Sequence, residues 1–194
     1  MNIKTFTTSL IVGLGMAFSH ANAQSCTVIS ESINQDFTGM THGTRPACWV
    51  SHHYPSISGT FSGVYNGDQR YYLQWHNGGY PQNTAQVRPF VLAMQRCTVR
   101  GPLTFSVWQL FNAPSRSLEV GTMSDPNNPA TFTPFQTINH FSGTPATYTV
   151  DFTGYVGTDQ YLAFRAFMSN GNGFSIDNIV WSGPPAVVMP PKGF

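Results

Sequence analysis

Residues 155–181 read YVGTDQYLAFRAFMSNGNGFSIDNIVW, and the fold turns on how this stretch is parsed. Tyr161–Met168 is a nearly continuous apolar run broken only by Arg165, and Phe174–Trp181 is a second one broken by Asp177 and Asn178. Runs of this length with aromatic and branched side chains suit strands. Between them, Asn170, Gly171, Asn172 and Gly173 tolerate positive φ, as a hairpin connection requires. The expectation is two strands joined as a closing β-hairpin.

Upstream the same grammar repeats. Phe61–Tyr65 and Tyr71–Trp75 flank Asn66-Gly67-Asp68, a second hairpin signal. Ser25–Ile33 alternates polar and apolar residues and reads as a first strand, and a short strand starts at Cys48-Trp49-Val50. Val87–Met94, Leu103–Phe111, Leu118–Met123, Thr131–Ile138 and Thr147–Phe152 read as further strands, with Leu103, Phe105 and Val107 on one face. Asp125-Pro126-Asn127-Asn128-Pro129 is a turn cluster. About eleven short strands, with no convincing amphipathic helix, predict an all-β, two-sheet antiparallel sandwich of the jelly-roll kind.

Composition narrows the function. Of 194 residues, 41% are hydrophobic and only 9% charged, so Ser, Thr, Asn, Gln and Gly must carry the solvent face. The net charge is +1 and the arginines are scattered, which argues against nucleic-acid binding. Lys4, an apolar run over Leu10–Phe18 and Ala21-Asn22-Ala23 have the form of a secretory signal cleaved after Ala23. No later segment is long and apolar enough for a membrane span. The domain reading is therefore signal 1–23, β-module 24–182, and a Pro-rich tail or linker over 183–194. Cys26, Cys48 and Cys97 all lie in the exported part, which allows one disulfide by any of three pairings and leaves one thiol over. The vicinal His52 and His53 point oppositely on an extended chain, which disfavours a shared metal.

Leu118–Phe135, LEVGTMSDPNNPATFTPF, carries a resemblance. With Asp36-Phe37, Pro46-Ala47-Cys48-Trp49, Thr149–Phe152, Tyr161–Arg165 and Gly173–Ile179 in the same order, about residues 30–182 resemble the jelly-roll modules of secreted bacterial surface proteins. These form the MAM-like or choice-of-anchor J group, related to cleaved adhesins. The resemblance implies adhesion, protein contact or glycan binding without catalysis. It also implies a structural calcium where the first and last strands meet, with Asp36, Asp177 and Glu31 as candidate ligands. Thr38 stands where the family often has Glu. A polar break inside the last strand thereby gains a role, Asp177 anchoring that strand to Asp36 through a metal or a hydrogen bond.

Function is therefore expected to be that of an exported, monomeric, non-catalytic module contacting a surface or extracellular protein. The alternative is carbohydrate binding through Trp75, His76 and Tyr80, where aromatic faces and polar groups gather at a hairpin end. A glycosidase ranks third. It would need two carboxylates across a cleft, and the acids sit mainly in turns or on strands. Gly59-Thr60-Phe61-Ser62-Gly63 has Phe where a nucleophilic serine would stand.

Overall fold

The computed structural model describes residues 26–52, 60–65, 72–77, 88–109, 117–139, 142–168 and 173–183, with the backbone alone for 60–65, 72–77, 88–90, 167–168 and 173–174. The signal reading and residues 184–194 of the tail lie outside them. Eleven strands form: β1 Ser32–Gln35, β2 Val50–His52, β3 Thr60–Tyr65, β4 Tyr72–Asn77, β5 Arg88–Arg96, β6 Pro102–Gln109, β7 Ser117–Met123, β8 Thr133–Asn139, β9 Ala146–Asp151, β10 Tyr161–Met168 and β11 Gly173–Ser182. One sheet has the order β3-β4-β11-β6-β9 with β1 also on β11, and the other has the order β2-β5-β10-β7-β8. Every strand pair is antiparallel. The all-β two-sheet sandwich is thus as expected, and so is the β3–β4 hairpin, with Tyr65 opposite Tyr72.

The closing hairpin is not. β10 has the expected boundaries and β11 runs one residue further at each end, but the two belong to opposite sheets, each as the central strand. The reason lies in their composition. A nearly unbroken apolar run needs neighbours on both edges and cover on both faces. β10 finds them in β5 and β7, and β11 in β6 on one edge with β4 and β1 on the other. Had they paired with each other, their inward side chains would share one face; instead these meet across the core.

That core is built from alternate residues of both sheets. Leu103, Phe105 and Val107 of β6 are buried, as the alternation predicts, and Ile176, Ile179 and Trp181 of β11 join Leu162, Phe164 and Ala166 of β10. Phe105 and Phe164 meet edge to face at 4.9 Å across the sheets. Each such side chain contributes about 2–3 kcal/mol by leaving water. Trp181 also donates its indole N–H to the Arg100 carbonyl at 2.7 Å, so no polar group is stranded with it.

The first strand begins later than Ser25, at Ser32. The segment before it is held differently. Cys26 is bonded to Cys48, which selects one of the three pairings, and Ser30 N–H donates to the Arg96 carbonyl at 2.8 Å. Cys97 is the leftover thiol, buried in the core, where desolvation pushes its pKa up to about 11. A disulfide is consistent with an oxidising compartment.

The outer face of the five-stranded sheet is covered. Residues 124–132 fold over it, and Phe132 packs with Met123, Val91, Ala93 and Ala163 in a second apolar cluster. The small residues make room. At Gly121 a Cβ would lie 2.1 Å from the Thr133 carbonyl oxygen and 2.9 Å from the Phe132 ring. His52 pins the covering segment by donating from Nε2 to the Pro126 carbonyl at 2.7 Å. Its partner in sequence, His53, lies outside the described residues.

Candidate functional site

The site is made where β11 changes neighbours. Its residues 173–176 pair with β4 and its residues 179–182 with β1, on the same edge, while β6 runs along the other. Asp177 and Asn178 fall in the gap between the two partners. The ladder with β6 is also irregular between Asp177 and Val180. Asn178 adopts φ 50°, a left-handed conformation that Asn tolerates better than most residues. The kink returns Ile179 to the core after Ile176, so alternation restarts with Asp177 left facing outward.

Across the gap, the end of β1 turns just as sharply. Phe37 has φ 57° and is wholly buried, edge-on to Trp49 with ring centroids 6.0 Å apart. Burial of that ring offsets a strained backbone that costs about 1 kcal/mol or more. Gln35 steadies the bend by accepting from Phe37 N–H at 2.9 Å. Asp36, immediately before, is thereby set near enough for its charge to act on Asp177.

Both carboxylates are half satisfied. Asp36 Oδ1 accepts from Thr38 N–H at 3.0 Å, and Asp177 Oδ1 accepts from Asn178 N–H at 2.7 Å. No Arg or Lys among the described residues neutralises Asp177. Its pKa is pushed up to about 6, chiefly by burial, with the Asp36 charge adding to the rise and the Asn178 amide opposing it. Ser106 of β6 lies directly opposite Asp177, and Ser175, two residues earlier on the same strand, is buried with its hydroxyl unpartnered among the described residues. Among the described residues, Asp177 therefore accepts from its own neighbour Asn178 and is not hydrogen-bonded to Asp36.

Such a donor set fits a hard cation in part. Two carboxylates, each with an oxygen to spare, one exposed and one half-buried, flank a seam with no cationic side chain pairing them among the described residues. Among the described residues, however, no group of three or more His, Cys, Asp or Glu side chains is placed to hold a metal. Remaining ligands would have to be carbonyls, hydroxyls or waters, which calcium accepts. Glu31 is not brought to this place. Its carbonyl accepts from Gly183 N–H at 2.8 Å, at the far end of the β1–β11 ladder, about 16 Å along the strand from Asp36.

Of the aromatic cluster, Trp75 and His76 lie in β4, opposite Ser62 and Phe61 of β3 and Phe174 and Gly173 of β11. Tyr80 lies outside the described residues. The other described acids have local roles. Asp125 and Asp151 accept from Asn127 N–H and Thr153 N–H, both at 2.9 Å, Asp159 accepts from the Thr122 hydroxyl at 2.6 Å, and Glu119 pairs with Arg165. The Thr153 hydroxyl and amide hold Asp151 below its usual range. Sequence reasoning missed Gln35 and Asn178 as shapers of the seam. The Asp177-Asn178 doublet was their only signal, since a left-handed residue inside a strand leaves little trace when it is not glycine.

No family model matches the chain, and no curated protein matches it. Solved structures do. The K2 cleaved adhesin domain of Lys-gingipain is similar over 79% of this chain and 98% of its own length, with a TM-score of 0.60 and 15% identity. The K3 cleaved adhesin domain of Lys-gingipain from Porphyromonas gingivalis W83 is similar over 78% and 98%, with a TM-score of 0.55 and 17% identity. A family 11 carbohydrate-binding module from Clostridium thermocellum, in complex with a β-1,3-1,4-mixed-linked tetrasaccharide, overlaps at a TM-score of 0.48 with 13% identity, too loosely to carry a conclusion. At these identities the likeness speaks for the fold alone.

Proposed function

We propose that this chain is an exported, non-catalytic binding module acting in adhesion or protein contact at a bacterial cell surface. The observation that carries it is the overlap of its sandwich with cleaved adhesin domains over nearly their whole length. The local structural roles of Asp125, Asp151, Asp159 and Glu119 agree with a module that is not an enzyme. The direct test is an array of extracellular proteins and glycans probed with residues 24–194. Retention of a protein ligand supports the reading. Retention of glycans alone, lost on Trp75→Ala or Tyr80→Ala in a folded chain, replaces it with carbohydrate binding. Turnover of an arrayed glycan contradicts both.

The same reading gives Asp36 and Asp177 a structural calcium. When bound, the ion would supply the positive charge that the seam between β1 and β11 lacks. The two carboxylates would hold it, and β1 would be fixed against β11. The support is the proximity of two like charges, with Asp177 half-buried and no cationic side chain pairing either among the described residues.

A further inference from the structure

Beside the disulfide, at the end of the sandwich where the chain enters β1, lies a cleft of about 110 Å³ lined by Cys26, Val28, Ser30, Cys48, Gln95 and Arg96. No acidic side chain lines it. Arg96 is held rigidly, with Nε donating to Gln160 Oε1 at 2.7 Å and Nη1 to the Thr27 carbonyl at 2.9 Å. Those bonds leave Nη2 free, and no carboxylate among the described residues pairs with the guanidinium. Ser30 Oγ accepts from Gln95 Nε2 at 2.8 Å, so its own proton is free to be donated. Gln95 is fixed in turn by the Trp49 indole N–H, which donates to Oε1 at 3.4 Å. The floor of the cleft is thus preorganised and turns the Arg96 Nη2 and Ser30 hydroxyl donors toward it. Its rim is apolar, with Val28 70% exposed and the adjoining Ile29 46% exposed.

We propose that this cleft docks an acidic side chain of an extended partner peptide, with apolar residues of that peptide resting on Val28 and Ile29. Charge complementarity selects this occupant. A half-buried guanidinium without a counter-ion favours a carboxylate over a neutral amide or hydroxyl, and the aliphatic rim favours a peptide over a free anion. A dry apolar peptide would leave the donors unsatisfied. The proposal rests on the binding-module reading and names one partner chemistry for it.

The test is an NMR titration of residues 24–194 with acetyl-Val-Glu-Val-amide, its Gln counterpart and inorganic phosphate. The Glu peptide should shift the Ser30, Cys48 and Gln95 amides and bind about tenfold tighter than the Gln peptide. Arg96→Gln should abolish that preference. Because Arg96 also ties down Thr27 and Gln160, Val28→Glu is the second variant. It leaves those bonds alone and should repel the Glu peptide from the rim. Equal affinity for Glu and Gln peptides, shifts elsewhere on the molecule, or phosphate binding as tightly as the Glu peptide would overturn the proposal. A chain that retains arrayed ligands but shows no Glu preference loses the cleft and keeps the module reading; a Glu preference without arrayed ligands does the reverse.

Discussion

Arg165 and Asp177 look alike in sequence, each a charged break in the apolar run of a central strand, yet they meet opposite fates. Arg165 faces outward from β10 beneath the covering segment 124–132. There it pairs with Glu119 on β7 and lies over the Phe132 ring, 4.4 Å from its centroid. Asp177 faces outward from β11, and the charge that acts on it among the described residues is another carboxylate, Asp36. One charge is built into the fold and satisfied by it. The other is held at a cost, at a seam between strands. Unneutralised charge in a partly buried place is a functional signal, whereas a matched pair is an ordinary packing solution.

The largest expected effect is on the covered side. Gly121→Ala places a methyl group against the Thr133 backbone and the Phe132 ring, so the cover must shift. Chemical unfolding should show a loss of about 3 kcal/mol. Glu119→Ala comes next. It strips Arg165 of its partner, and since both side chains keep some solvent the loss should be about 2 kcal/mol rather than that of a wholly buried pair. If either change is silent, the covered face is not what holds β10 in place.

On the other sheet the sign reverses. Asp177→Asn, measured in chelator at neutral pH, should stabilise the chain by about 1 kcal/mol, the partial exposure of the site keeping the gain small. The pH dependence follows from the raised pKa of about 6. The folded state holds this proton more tightly than the unfolded state. Its stabilising contribution is therefore full below about pH 4, the ordinary carboxylate range, and falls as pH rises toward 6. Wild-type stability relative to Asp177→Asn should decline across that window and level off above it. A flat difference would mean that Asp177 is simply solvated. The smallest effect belongs to the hydroxyl pair Thr104–Thr149, 3.0 Å apart on the outer face of the same sheet. Thr149→Ala should change stability by no more than about 0.5 kcal/mol.

Strand positions were legible because period-two alternation and turn residues are local properties. Leu103, Phe105 and Val107 declared one buried face, and β10 and β11 declared their own lengths. Partnership was not legible. Whether β10 and β11 pair or oppose each other depends on β5, β7, β6 and β4, distant in sequence, and a Gly-rich link serves both arrangements. Asp36 and Asp177 were named on family resemblance, and the Asp36 charge acts on Asp177. Glu31 was named with them but lies just before β1, because an extended chain spreads residues that are only five apart. The cleft at Arg96 left no local signal at all. It exists because Cys26–Cys48 and the Ser30–Arg96 contact bring three separate segments together.

The most direct test of the account is calorimetric unfolding of residues 24–194 in chelator and in millimolar calcium, for wild type and Asp177→Asn. The seam predicts a wild-type midpoint raised by about 5 °C or more in calcium and an unmoved midpoint in the variant. Identical wild-type midpoints in chelator and calcium, or an equal rise in the variant, would contradict it.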